Sequence, residues 1–145
     1  MQKGFTLIEL LLTIGLFVFV IGISVPIISS WQTTNNLEVA LNITTSSLYR
    51  SQLLAQTMYK DLNWGIRLNP SELVIFGGDD YLTRDQTWDE KYILTGAFDY
   101  STGLDEIVFT KGSGLPVIGG QIIIIEQNSQ DFASISINSK GFINY

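Results

Sequence analysis

The chain has 145 residues, 46% hydrophobic and only 15% charged, with a formal net charge of −6. That length admits one compact domain with room for one extra element. The absence of cysteine and histidine excludes disulfide frameworks, thiol nucleophiles, thiolate or imidazole zinc sites and any Ser-His triad. The negative charge is also the wrong sign for a protein that draws its affinity from phosphates.

Charge is unevenly placed. After Glu9 the next charged residue is Glu38, and the gap opens with LLLTIGLFVFVIGISVPII, Leu10 to Ile28. From Phe5 to Ile28 there are 17 residues of Phe, Leu, Ile or Val. At about −0.3 to −0.6 kcal/mol each near a bilayer centre they favour insertion by about 5 to 10 kcal/mol. Thr13, Gly15, Gly22, Ser24 and Pro26 offset part of that. Three readings compete for this segment. A secretory signal peptide would use Lys3 as its positive region and Gly22-Ile23-Ser24 as a small-x-small cleavage site. A plain signal anchor would need neither. Both leave unexplained a carboxylate, Glu9, at the head of the apolar run.

The string KGFTLIE, Lys3 to Glu9, followed at once by the apolar segment, resembles the cleavage site of type IV prepilins and type II secretion pseudopilins. The resemblance implies that a membrane prepilin peptidase cuts after Gly4, leaving Phe5 as an N-methylated terminus. It also implies that Glu9 serves assembly. Residues 1–4 are then a leader, held in the cytoplasm with the help of Lys3, and 5–28 a transmembrane and assembly helix. Gly4 offers no side chain to obstruct a peptidase at the membrane surface.

Downstream, Pro26 removes a helical donor and crowds the preceding turn, so a kink is expected there. Apolar residues recur at Leu37, Leu41, Leu48 and Ala55, flanked by Val39, Ala40, Leu54 and Met58, with Thr, Asn, Ser and Gln on the other faces. This predicts an amphipathic continuation of the helix over 29–59. The mature helix would then be about 55 residues and about 80 Å long.

From Lys60 the period changes to two. Leu62, Trp64, Ile66 and Leu68 alternate with Asn63, Gly65 and Arg67, closed by Asn69-Pro70, which reads as a strand. Further strands are expected at Glu72–Phe76, Lys91–Leu94, Glu106–Thr110, Gln121–Glu126, Phe132–Asn138 and Phe142–Tyr145. The Ile122–Ile125 run suggests a strand buried on both faces. The fold class is α+β: a long N-terminal helix, transmembrane half plus amphipathic half, packed on an antiparallel β domain over 60–145.

WGIRLN, EIVFTKGSGLPVIGG and ISINSKGFI, within 64–143, are similar to the C-terminal blocks of GspH/FimT-like pseudopilins. Lack of cysteine departs from the C-terminal disulfide loop of many type IV pilins, so the core alone must hold the domain. The family resemblance implies a structural, minor subunit of a pilus-like filament or secretion pseudopilus, with no catalysis of its own and no cofactor. Its implied partners are other pilin or pseudopilin subunits, the prepilin peptidase, an inner-membrane assembly platform and the lipid bilayer. Its implied location is the inner membrane as a single-pass protein with the globular domain outside the cytoplasm, then a periplasmic or extracellular filament.

Two alternatives stand beside that reading. Some FimT-like minor pilins bind DNA for uptake, but from Lys60 onward six basic residues face twelve acidic ones, which disfavours nucleic acid. A membrane-anchored binding module would use aromatics among Trp64, Tyr81, Trp88, Tyr92, Phe98 and Tyr100. The acidic stretch Asp79, Asp80, Asp85, Asp89 and Glu90 supplies calcium candidates in its four aspartates, since hard cations take carboxylate oxygens and some similar pseudopilins bind calcium. A solvated acidic loop is the plainer account of it.

Overall fold

A computed structural model describes the backbone of residues 6–101 and 105–145, and their side chains except those of 23–34. The chain divides into two units, Met1–Gln32 and Thr33–Tyr145. One helix, α1, Leu7–Gln56, contributes to both. The strands that follow are β1 (Trp64–Leu68), β2 (Glu72–Gly77), β3 (Glu90–Ile93), β4 (Phe98–Ser101), β5 (Glu106–Phe109), β6 (Gly120–Glu126), β7 (Phe132–Ile137) and β8 (Ile143–Asn144). This is the expected α+β class.

The strands form two antiparallel sheets, ordered β3-β2-β1-β5 and β4-β6-β7-β8. In the first, Ile66 lies opposite both Ile75 and Ile107, stacking three isoleucines across the buried face. In the second, Ile122 faces Ile135 and Ile124 faces Ala133. These inner faces share one core with Leu37, Ala40, Leu48 and Ala55 of α1.

The buried stripe of α1 differs from the expected one. Thr44, Thr45, Ser47 and Ser51 are buried beside Ala40, Leu48 and Ala55, whereas Val39 and Met58, expected on the apolar flank, are 41% and 57% exposed. Small side chains allow close approach of helix backbone to sheet, and the hydroxyls of Thr44 and Ser51 are satisfied locally. Thr44 Oγ1 donates to the Ala40 carbonyl at 2.7 Å and Ser51 Oγ to the Leu48 carbonyl at 3.0 Å, so burial of these polar groups carries little penalty. Hydropathy alone could not distinguish such a stripe from a solvent-facing one.

Both-face burial belongs to β2 rather than β6. Leu73, Val74, Ile75 and Phe76 are all sealed from solvent, because the loop after β2 folds back and sets the Tyr81 ring edge-on to Phe76, centroids 5.5 Å apart. In β6 only Ile122, Ile124 and Glu126 are buried, with Ile123 and Ile125 half-buried. Gly65 opposite Phe76 is required by this packing: a Cβ there would stand 2.7 Å from the Phe76 ring and 2.9 Å from the Ile107 carbonyl.

The strand β4 was not expected. It is four residues long and leaves its sequence neighbour β3 to pair with β6 in the other sheet. Helix α1 also stops at Gln56, short of the expected Tyr59. Its exit is held from outside: the Gly112 amide donates to the Ala55 carbonyl at 2.8 Å, and Gln52 Nε2 donates to the carbonyls of Gly114 (3.0 Å) and Gly141 (2.9 Å), joining two turns distant in sequence. Met58, just past the helix, has φ 51°, the left-handed conformation that glycine adopts without a Cβ clash. Met58→Gly is therefore expected to raise stability by about 0.5 to 1 kcal/mol, read as a higher urea midpoint at unchanged slope. A lower midpoint would mean that contacts of the methionine outweigh its backbone strain.

Candidate functional site

Helix α1 starts where its sequence dictates. Thr6 precedes the first helical residue, and the amides of Glu9 and Leu10 donate to its carbonyl, both at 3.1 Å, while its Oγ1 lies 3.4 Å from the Glu9 amide. Thr-x-x-Glu is the pattern of a capping box; the hydroxyl half is made here. Glu9 also sits in the first turn, where a carboxylate complements the helix dipole.

The segment that follows is apolar on every side. Leu7, Ile8, Leu10, Leu11, Leu12, Ile14 and all six residues from Leu16 to Ile21 are more than half exposed. An ordinary amphipathic helix would cover one stripe of these; among the described residues no stripe is covered. Among the described residues no helix is long and apolar enough to cross a membrane. Gly4 and Phe5, the expected cleavage pair, lie outside the described residues. The backbone at Pro26 is helical, but its side chain lies outside them, as does the expected kink.

The acidic stretch is tied into its own loop. Asp79 accepts from Asn63 Nδ2 at 2.5 Å, Asp80 from the Leu82 amide at 2.6 Å and Asp85 from the Thr87 amide at 3.0 Å. Asp89 is held by Nε and an Nη of Arg84, both at 2.9 Å, with both side chains nearly buried. The Arg84 guanidinium in turn lies 3.5 Å from the centroid of the Tyr81 ring. The four candidates thus serve separate local contacts, and among the described residues no group of three or more acidic side chains is arranged to hold a metal ion.

Several basic residues are similarly committed. Arg67 pairs with Asp105 at 3.3 Å and approaches Glu106 at 3.8 Å, Lys111 pairs with Asp61 at 2.9 Å, and Lys60 lies 4.4 Å from the centroid of the Trp88 ring. Of the aromatics considered for a ligand surface, Trp64 and Phe98 are core residues. Burial pushes the Tyr100 phenol up to about 12, with a smaller opposite effect from Thr44.

Two carboxylates carry structural weight that the sequence does not show: it does not single out Glu126, and Glu90 reads only as part of the acidic stretch. Glu126 is buried at the end of β6 and accepts from the amides of Asn128 (2.8 Å) and Ser129 (2.6 Å) and from Asn128 Nδ2 (2.9 Å). The Ser129 amide above all holds its carboxyl below the usual range. Glu90 on β3 takes a two-pronged contact from Arg50 of α1, Nε at 2.5 Å and an Nη at 2.7 Å, locking the helix to the sheet edge. That pairing lowers the Glu90 carboxyl and raises the Arg50 guanidinium. A spacing of forty residues hides the pair from any local pattern.

In comparisons with known proteins, residues 1–25 match the model of the prokaryotic N-terminal methylation motif. No curated protein matches the chain, and no solved structure does.

Because both carboxyls are depressed in the folded state, the stability they confer is complete above the ordinary glutamate value of about 4.5 and is lost as pH falls through the depressed values. The melting temperature should fall below pH 4.5 more steeply in the parent than in Glu90→Gln. Equal slopes would show that the Arg50 contact does not couple to folding. With its carboxylates already engaged, the acidic loop should give no more than a 1 °C change in melting temperature at about 1 mM calcium, the range of weak extracellular sites. A saturable rise abolished by Asp79→Asn with Asp80→Asn would establish a calcium site.

Proposed function

We propose that this chain is a structural subunit, a minor one, of a type IV pilus-like filament or type II secretion pseudopilus. The N-terminal methylation motif over residues 1–25 is the observation that carries the reading. It supports prepilin-type cleavage, N-terminal methylation and association with like subunits in general. The exposed apolar start of α1 and its continuation into the β domain are what such a subunit needs. The apolar segment is stored in the inner membrane, the peptidase removes residues 1–4, and a platform and motor transfer the helix into a bundle of like helices. The chain itself carries out no reaction.

Glu9 is the residue on which this mechanism turns. After cleavage the new amine at Phe5 and the Glu9 carboxylate are about 6 Å apart along a helix axis, so both remain near the headgroups while the subunit is stored. In a filament the carboxylate leaves water, where an unpaired ion costs several kcal/mol. The amine of a neighbouring subunit removes that cost and sets the register between helices. Interaction with the helix dipole, about 0.3 to 1 kcal/mol, is too small to do so.

Two measurements test the reading. Mass spectrometry of the mature chain should give an N-methylated terminus at Phe5, blocked by Gly4→Val. A terminus at Val25 would instead mean a conventional signal peptidase. Glu9→Ala should be cleaved and retained in the membrane but nearly absent from sheared filament fractions, and normal incorporation would remove the register role.

A further inference from the structure

The segment between β5 and β6 carries two apolar side chains that its own chain leaves uncovered. Val117 is 62% and Ile118 58% exposed, although the backbone there is fixed to β5: the Val117 amide donates to the Val108 carbonyl at 2.8 Å, and Pro116 is bridged to Phe109. On one side these two residues line a recess of about 160 Å³ together with Val108, Asp79 and Glu106. On the other side lies the turn between β7 and β8. A Cβ at Gly119 would stand 2.8 Å from the Ile137 carbonyl, and one at Gly141 would stand 3.7 Å from Pro116 Cδ. That turn carries Lys140.

The charges at the two ends of this strip are unmatched within the chain. Among the described residues Asp79 accepts from the Asn63 side-chain amide, a neutral donor. Glu106 accepts from the Tyr81 amide at 3.3 Å, with Arg67 no nearer than 3.8 Å and shared with Asp105. Lys140 is exposed, and among the described residues its ammonium makes no ion pair. Apolar walls under an acidic rim suit a lysine, whose four-carbon stem packs on hydrocarbon while its ammonium meets carboxylates. The volume is close to the roughly 150 Å³ of a cavity that holds one benzene ring, so a single side chain fills it.

From this arrangement we infer that the strip is a contact between two copies of this chain, in which Lys140 of each copy enters the recess of the other. A two-fold rotation sets one patch against its own reversed copy. Val117 and Ile118 then meet their counterparts at the centre, and each charged end meets its opposite. Both halves of the match lie on one chain, which favours a second copy over a foreign partner. Lys91 is also exposed and without an ion pair among the described residues. It lies on β3, however, at the far edge of the sheet ordered β3-β2-β1-β5, about 14 Å from β5 at the usual strand spacing and outside the strip. Repulsion between two chains of net charge −6 is screened beyond about 8 Å at physiological ionic strength, whereas the facing groups meet at contact distance. The pairing needs neither cleavage nor methylation, so it is independent of the filament reading.

The test uses the full chain in detergent at about 0.15 M salt, with micelles in large excess over protein. Sedimentation velocity should show a monomer–dimer equilibrium with a Kd on the order of 10 to 100 μM. Lys140→Glu and Asp79→Lys should each weaken it by about tenfold or more at unchanged melting temperature. The two together should restore it, because the exchanged charges face each other again. Ile118→Asp should abolish the dimer and Lys91→Glu should change nothing. In an equal mixture of isotope-labelled and unlabelled copies, a zero-length carbodiimide should join Lys140 to Asp79 or Glu106 in peptide pairs with one labelled and one unlabelled member, which only a contact between copies produces. A monomer up to about 1 mM, a dimer indifferent to Lys140→Glu, a double variant no better than either single one, or Lys140 cross-links confined to pairs of like label would each overturn the inference. Peptidase processing and filament entry are scored separately, so a failure here is distinct from a failure of the assembly reading.

Discussion

The close packing of the C-terminal half of α1 against two sheets is the interaction on which the β domain depends. It requires a helix face of small side chains, and that face is built from Ala40, Thr44, Ser47, Ser51 and Ala55 together with Leu48. Large residues there would hold helix and sheet apart and open voids that a core of this size can ill tolerate. Because the hydroxyls of Thr44 and Ser51 return to the backbone of the helix, the face is polar in composition yet behaves as a packing surface. The same closeness leaves Ser47 in the floor of a groove at the margin, where the helix meets β3.

Polar contacts then fix the helix to each sheet separately. Arg50 grips Glu90 on β3, and the Tyr49 hydroxyl donates to the Ile143 carbonyl of β8 at 3.2 Å. Gln52, two residues on from Arg50, ties the turns at Gly114 and Gly141 to the same helix. Within three residue positions of one another, Tyr49, Arg50 and Gln52 thus reach both sheets and the turns between strands. In a chain without cysteine, such contacts take the place of covalent closure, and each is modest alone.

The acidic loop after β2 has a structural explanation. Its arginine is sandwiched between Asp89 and the Tyr81 ring, and the ring seals Phe76 from solvent. A stretch that reads as a cluster of carboxylates is therefore a lid over the outer face of the first sheet, with its acids used as caps and as a counter-ion.

What the sequence determined by itself concerns properties that depend on neighbours within a few residues. The apolar run, the isolated Glu9, the N-terminal processing motif and the change from helical to alternating period at Lys60 are all local, and hydropathy and spacing report them directly. Seven of the strands were legible for the same reason. Tertiary structure alone decided which strands share a sheet, because β4 chooses β6 over β3 through contacts far apart in sequence. It also decided which face of α1 is buried: Thr44 and Ser47 have the hydropathy of surface residues and are placed inside by the fit of helix to sheet. Glu126 and the Arg50–Glu90 pair belong to this second class. A carboxylate acquires a role from the donors brought to it, and those donors are assembled only when the chain has folded.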